Sequence, residues 1–166
     1  MKMSPAGIDH GQAGPALAAT RIIGIGNGLR GDDAVGLVVA RRLRDLVSPP
    51  VQVVEAEGPC LDLLELIGGV KKVVLVDAAG GPGPEGRIHR FDATAGPIGR
   101  EVFPTSTHAI GLAEAIEIGR ALGRLPAVTL VYGIEIGTAS IGNGLSPAVS
   151  AAVEEVAVRI LREVGE

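Results

Sequence analysis

The chain has 166 residues, enough for one domain with a substantial core, and 46 % of them are apolar while only 2 % are aromatic. That core is therefore built from Val, Ile, Leu and Ala. A net charge of −4, with no basic run beyond "RRLR" at 41–44, argues against a nucleic-acid partner, and a single cysteine, Cys60, excludes an intramolecular disulfide or a cysteine-rich zinc module.

Residues 1–20 are broken by Pro, Gly and Asp and hold no continuous apolar stretch. They read as a flexible extension to a single domain over 21–166, not as a signal peptide. No apolar run reaches the roughly 18 residues of a membrane span. The expectation is a soluble cytoplasmic protein with no membrane partner.

"RIIGIG" (Arg21 to Gly26) is a short apolar run ending in glycine and reads as a buried strand. From Asp32 to Val47 the apolar positions Val35, Val38, Val39, Leu43 and Leu46 form a helical stripe, closed by "SPP". "VQVVEAE" is a second strand and "CLDLLELI" a short helix. "KKVVLVDAA" (Lys71 to Ala79) is the most apolar strand, followed by the loop "GGPGPEG" and a strand nearer an edge, "RIHRFDA". Ser106 to Gly123 predicts a long helix with Ser106 as N-cap. "AVTLVYGIEIG" is another strand. The final helix has Ser146 as N-cap and Pro147 in its first turn. This alternation predicts an α/β three-layer sandwich, a twisted, mostly parallel sheet of about five strands flanked by helices on both faces.

In such sheets ligands bind beyond the carboxyl ends of the strands. Gly26, Gly28 and Gly31 match G-x-G-x-x-G after a strand, with Glu55 or Glu57 ending the next, as in a dinucleotide fingerprint. Asp32 and Asp33 count against it, because two carboxylates occupy the helix start where a pyrophosphate needs positive potential. No nucleotide is expected. One aspartate suffices to cap the helix, and the other is free to face the crevice. Asp77 ends "VVLVD", where an unpaired buried carboxylate is costly unless it serves a site. His108 falls in the first turn of the predicted helix, on the same rim. Asp33 (or Asp32), Asp77 and His108 together suit an open site for a divalent transition metal. Cys60 opens a helix, which favours the thiolate, but no histidine is placed beside it. Burial as a small apolar residue is the commoner fate. His10 lies in the extension and His89 in the edge strand, and both are weak candidates.

"GIGNGLRGDDAVG", "VVLVDAA", "STHAIGLAEAI" and "VYGIEIG" through "GLSPAV" follow one another in the order and spacing of a known family. Over nearly all of the chain from Arg21 onward, the sequence resembles the nickel–iron hydrogenase maturation endopeptidases. The resemblance implies an endopeptidase that removes the C-terminal extension of a hydrogenase large-subunit precursor, its partner, after nickel insertion. Nickel is then recognised in the precursor, with zinc or cadmium able to stand in for it in isolation. Asp33, Asp77 and His108 become the metal-contacting positions, and Asp33 or Asp77 the catalytic carboxylate. Gly26, Asn27 and Asp32 of the turn become substrate-binding candidates. Ala34 stands where many members have glycine, and Asp33 where some carry glutamate. The same ligands would also serve a non-enzymatic nickel carrier or a checkpoint protein for the precursor.

Overall fold

The computed structural model describes residues 19–57, 62–99, 111–137, 141–142 and 144–165. Strands β1 (Thr20–Gly26), β2 (Val51–Glu57), β3 (Lys72–Ala79), β4 (Ile88–Asp92) and β5 (Val128–Glu135) form one sheet in the order β2-β1-β3-β5-β4. All neighbours are parallel except β4, which runs antiparallel to β5 at the edge. Helices α1 (Val35–Arg44), α2 (Leu63–Leu66), α3 (Leu112–Ala121) and α4 (Pro147–Gly165) complete the described elements. The expected three-layer α/β architecture is the one the chain adopts.

Successive strand residues face opposite sides, and both sides of the central strands are apolar. Ile22, Val74, Val76, Leu130 and Tyr132 pack with Val35, Val39 and Leu43 of α1 and Val149, Val153 and Ile160 of α4. Ile23, Val73, Leu75 and Val131 pack with Leu63 of α2 and Leu112 and Ile116 of α3. Each fully buried aliphatic side chain contributes roughly 1.5–3 kcal/mol by leaving water. The arginine run lies on the outer face of α1. Arg41 and Arg44 each reach Glu55 of β2 at 2.7 Å, and Arg42 reaches Glu154 of α4 at 2.8 Å.

Two helix starts differ from the sequence reading. A 3₁₀ turn over Gly31–Ala34 precedes α1, which begins only at Val35. Helix α3 begins at Leu112 behind an extended Gly111 (φ −84°, ψ 176°), so Ser106 does not cap it. The boundary stands at Gly111, in the extended region open to any residue, later in the chain than the hydroxyl pattern suggested. The start of α4 is as expected, with Pro147 as its first residue and the Ser146 hydroxyl accepting from the Val149 N–H at 3.4 Å. Residues 1–18 of the expected extension, together with Cys60 and 100–110, lie outside the described residues, while Thr20 already belongs to β1.

Candidate active site

The order of strands reverses between β1 and β3, because β2 lies on one side of β1 and β3, β5 and β4 follow on the other. Beyond the strand ends at such a point is the crevice where open α/β sheets take ligands. The 3₁₀ turn that follows β1 packs against β3 at this place.

Glycines decide how closely it packs. A Cβ on Gly36 would lie 2.2 Å from the Ile25 carbonyl oxygen and 2.3 Å from that of Val76. One on Gly24 would meet the Gly36 oxygen at 2.1 Å, and one on Gly26 the Asp33 oxygen at 2.3 Å. The glycine motif thus lays the start of α1 directly on β1 and β3. Glu55, at the acidic position of the dinucleotide pattern, is occupied by Arg41 and Arg44.

Within the turn, Asn27 donates its N–H to the Asp33 carbonyl (3.1 Å) and accepts at Oδ1 from the Leu29 N–H (3.0 Å). Gly31 takes a left-handed φ of 55°, which turns the chain back so that the Asp33 N–H reaches the Arg30 carbonyl at 3.1 Å. Asp32 and Asp33, adjacent in sequence, then diverge. Asp32 is only 8 % exposed and accepts the Ser146 N–H on Oδ1 at 2.6 Å, fastening the turn to the start of α4. The Gly142 N–H adds a second tie, to the Leu29 carbonyl at 3.3 Å.

Asp33 is half-buried, and its charge acts on Asp77 at the end of β3. Asp77 accepts one backbone hydrogen bond, from the Ala78 N–H at 2.8 Å. Enclosure is the larger influence on its carboxyl, with the Asp33 charge adding to it. Against that single hydrogen bond they push it up to about 8. A carboxyl tuned in this way beside a second one is a recurrent mark of a functional site. Both are oxygen donors. Among the described residues no group of three or more His, Cys, Asp or Glu side chains is arranged to hold a metal ion. His108, the third expected contact, lies outside the described residues. Two carboxylates with coordination positions left open fit a cation that arrives carrying other ligands.

Sequence reasoning missed a further acid. Glu135, at the end of β5, is 3 % exposed, and its Oε1 lies 2.7 Å from Nε2 of His89 in β4. The signal was available, since Glu135 interrupts the apolar run "LVYGIEI" as Asp77 interrupts "VVLVDAA".

Residues 38–163 match the family model described as hydrogenase maturation protease. No curated protein sequence matches the chain. Among solved structures, the hydrogenase maturating endopeptidase HybD from Escherichia coli superposes with a TM-score of 0.73, at 21 % identity over 88 % of this chain and 93 % of that one. The [NiFe] hydrogenase maturation protease HycI from Thermococcus kodakarensis gives 0.67, at 26 % identity over 90 % and 94 % of the two chains. A hydrogenase 2 maturation peptidase from a Thaumarchaeota archaeon gives 0.62, at 22 % identity over 88 % and 97 %. With three-quarters of its length matched by the family model, and the family's fold around a pair of crevice carboxylates, the chain belongs to the hydrogenase maturation protease family and is a peptidase.

Proposed function

We propose that this peptidase cleaves the C-terminal extension from a nickel–iron hydrogenase large-subunit precursor once nickel has been inserted, and that nickel enters the site as part of the substrate. The observation that carries this reading is the pair Asp33 and Asp77: enclosure holds the Asp77 carboxyl up, and the Asp33 charge adds to it. Such a pair calls for positive charge. A loaded precursor brings it, and an unloaded one does not.

Asp33, Asp77 and His108 contact the incoming metal or its surroundings and so place the neighbouring peptide bond over the crevice. Positive charge brought to the pair would favour the ionised form of Asp77, which could then accept a proton from the attacking water. If it also acts chemically, nickel held there would polarise the scissile carbonyl or activate a water. Gly26, Asn27 and Asp32 shape the rim along which the extension lies, with Asn27 and Asp32 holding the turn in the form described above. Cytoplasmic location accords with such a substrate, and no helix among the described residues is long and apolar enough to cross a membrane.

The test is the intact mass of a large-subunit precursor from the same cell after incubation with the enzyme, nickel-loaded and metal-free side by side. Loss of a C-terminal peptide from the loaded form alone is expected, and Asp33→Ala and Asp77→Ala should each abolish it. Equal cleavage of both forms would remove the nickel gate. An unchanged mass of competent loaded precursor would overturn the assignment of substrate.

A further inference from the structure

Asp77, Gly133 and His89 form one row across β3, β5 and β4, because Gly133 is the register partner of both Asp77 and His89. Register partners project to the same face, so Asp77 and His89 lie on one side of the sheet, with strand axes about 10 Å apart. Glu135, two residues beyond Gly133, faces that side too and pairs in register with Ala79. The rim holding Asp77 therefore continues, on the same face, into a carboxylate–imidazole pair whose acid is buried.

The loop through which the chain leaves Asp77 lies over the acid of that pair. The Gly80–Gly86 loop "GGPGPEG" starts three residues after Asp77 and returns into β4. Its ends are fastened around Glu135 by the backbone. The Ile136 N–H donates to the Ala79 carbonyl at 3.0 Å, the Gly86 N–H to the Glu135 carbonyl at 2.8 Å, and the Glu135 N–H to the Arg87 carbonyl at 2.9 Å. Its middle lies against the side chain. A Cβ on Gly81 would stand 2.6 Å from Glu135 Oε1, and one on Gly83 2.2 Å from Oε2. Oε1 has His89 as partner, whereas Oε2 is buried with no hydrogen-bond partner among the described residues.

Glycine allows the loop to close over an ionisable group that a side chain at either position would push away. An orphaned carboxylate oxygen is costly to bury. A merely apolar plug would hold the strands together as well. The geometry points to Glu135, oriented by His89, as a positioning residue of the reaction. It locks the Gly80–Gly86 loop against the end of β5 and so sets the wall of the crevice beside Asp77. This rests on the reading of Asp77 as part of the active site.

The experiment measures kcat and KM for loaded precursor, with melting temperature, in Glu135→Ala, Glu135→Gln and Gly83→Ala. Loosening the loop misplaces the site without removing any contact to the metal, and misplacement of about 1 Å can cost up to about 100-fold in rate. In Glu135→Ala we expect kcat to fall at least about tenfold and KM to move less than about twofold. Glutamine keeps the volume and a hydrogen bond to His89, so Glu135→Gln should restore most of the rate. Gly83→Ala sets a methyl group 2.2 Å from Oε2, so the Glu135 carboxylate and the loop must separate, and it should reproduce the loss even if Glu135→Ala does not fold. A folded Glu135→Ala or Gly83→Ala protein with wild-type kcat overturns the proposal, as does a rise in KM alone. Should wild-type enzyme leave the precursor intact, the substrate assignment fails by itself. Amide hydrogen exchange then decides the lock, with faster exchange at 80–86 in Glu135→Ala expected and unchanged exchange there refuting it.

Discussion

Carboxylates on the flanks of this fold and carboxylates at its crevice are treated in opposite ways. Glu163 of α4 accepts from Arg90 at 2.6 Å and from the Tyr132 hydroxyl at 3.0 Å, and the Arg90 hydrogen bond holds it below the usual carboxylate range. Burial would raise Glu55, but the hydrogen bonds from Arg41 and Arg44 together outweigh it and its pKa is lowered. Asp77, by contrast, has no arginine against it among the described residues: its enclosure, with the Asp33 charge adding to it, pushes it up to about 8. The flanks show that this chain pairs its acids with arginine where they serve only to join elements. Leaving two acids to repel one another at the strand switch costs stability, as functional sites commonly do.

The largest effect should come from removing the crevice acid itself. Asp77→Asn is expected to lower kcat by about 10²- to 10⁴-fold, the range for loss of a positioned proton acceptor, as measured by the rate of precursor cleavage. Stability should move the other way. In the metal-free protein a carboxyl that titrates at about 8 folded and near 3.8 unfolded keeps its proton across that window while the unfolded chain loses it. Folding therefore weakens as pH rises from about 4 to about 8, and the penalty is constant above that. Asp77→Asn removes this slope, so its denaturation midpoint should pull ahead of wild type progressively over the same window. Parallel curves would mean that Asp77 is not held up in the folded chain. Glu163→Gln, the flank control, should leave cleavage intact and lower stability at neutral pH.

The next effect in size tests how the two acids are brought together. Gly36→Ala places a methyl group 2.2 to 2.3 Å from two strand carbonyls, with no flexible side chain available to yield. Overpacking of this kind typically costs about 1–3 kcal/mol, and here it lifts α1, and Asp33 with it, off β3. Both a lower unfolding midpoint and slower cleavage are expected. Destabilisation with full activity per folded molecule would show that the helix need not seat closely for Asp33 to act.

Much of this arrangement was legible because apolar runs and breakers coincide in the sequence. β2 has the predicted bounds, since "SPP" stops the chain before it and a glycine follows. Asp77 stood out as a charge ending an all-apolar strand, and the two-acid turn stood out against a phosphate. Three things were hidden. The start of α3 was misread because Ser106 and Thr107 carry a capping signal, whereas the helix starts behind Gly111, where no side chain among the described residues caps it. The glycines were read as a loop signature, although their role is close approach between β1, the turn and α1, with Gly36 also against the carbonyl of Val76, forty positions away. The Glu135–His89 contact joins two strands through antiparallel pairing, and periodicity along one strand carries no information about the register of another.

The smallest effect separates two neighbours that sequence alone left interchangeable. Asp32 presents an oxygen to the Ser146 N–H at 2.6 Å, a role that asparagine can fill with its own carbonyl oxygen, whereas Asp33 acts on Asp77 through its charge. Asp32→Ala leaves that N–H without its acceptor and should cost about 1 kcal/mol, as loss of a helix-cap hydrogen bond does. Asp32→Asn should recover most of that loss and keep cleavage within about threefold of wild type, because no charge is required of it. Asp33→Asn should retain the fold and lose cleavage. If Asp32→Asn instead proves as damaging to cleavage as Asp33→Asn while remaining as stable as wild type, the charge of Asp32 itself faces the substrate. The turn would then present two anions to the incoming cation, and the fastening to α4 would be incidental to its function.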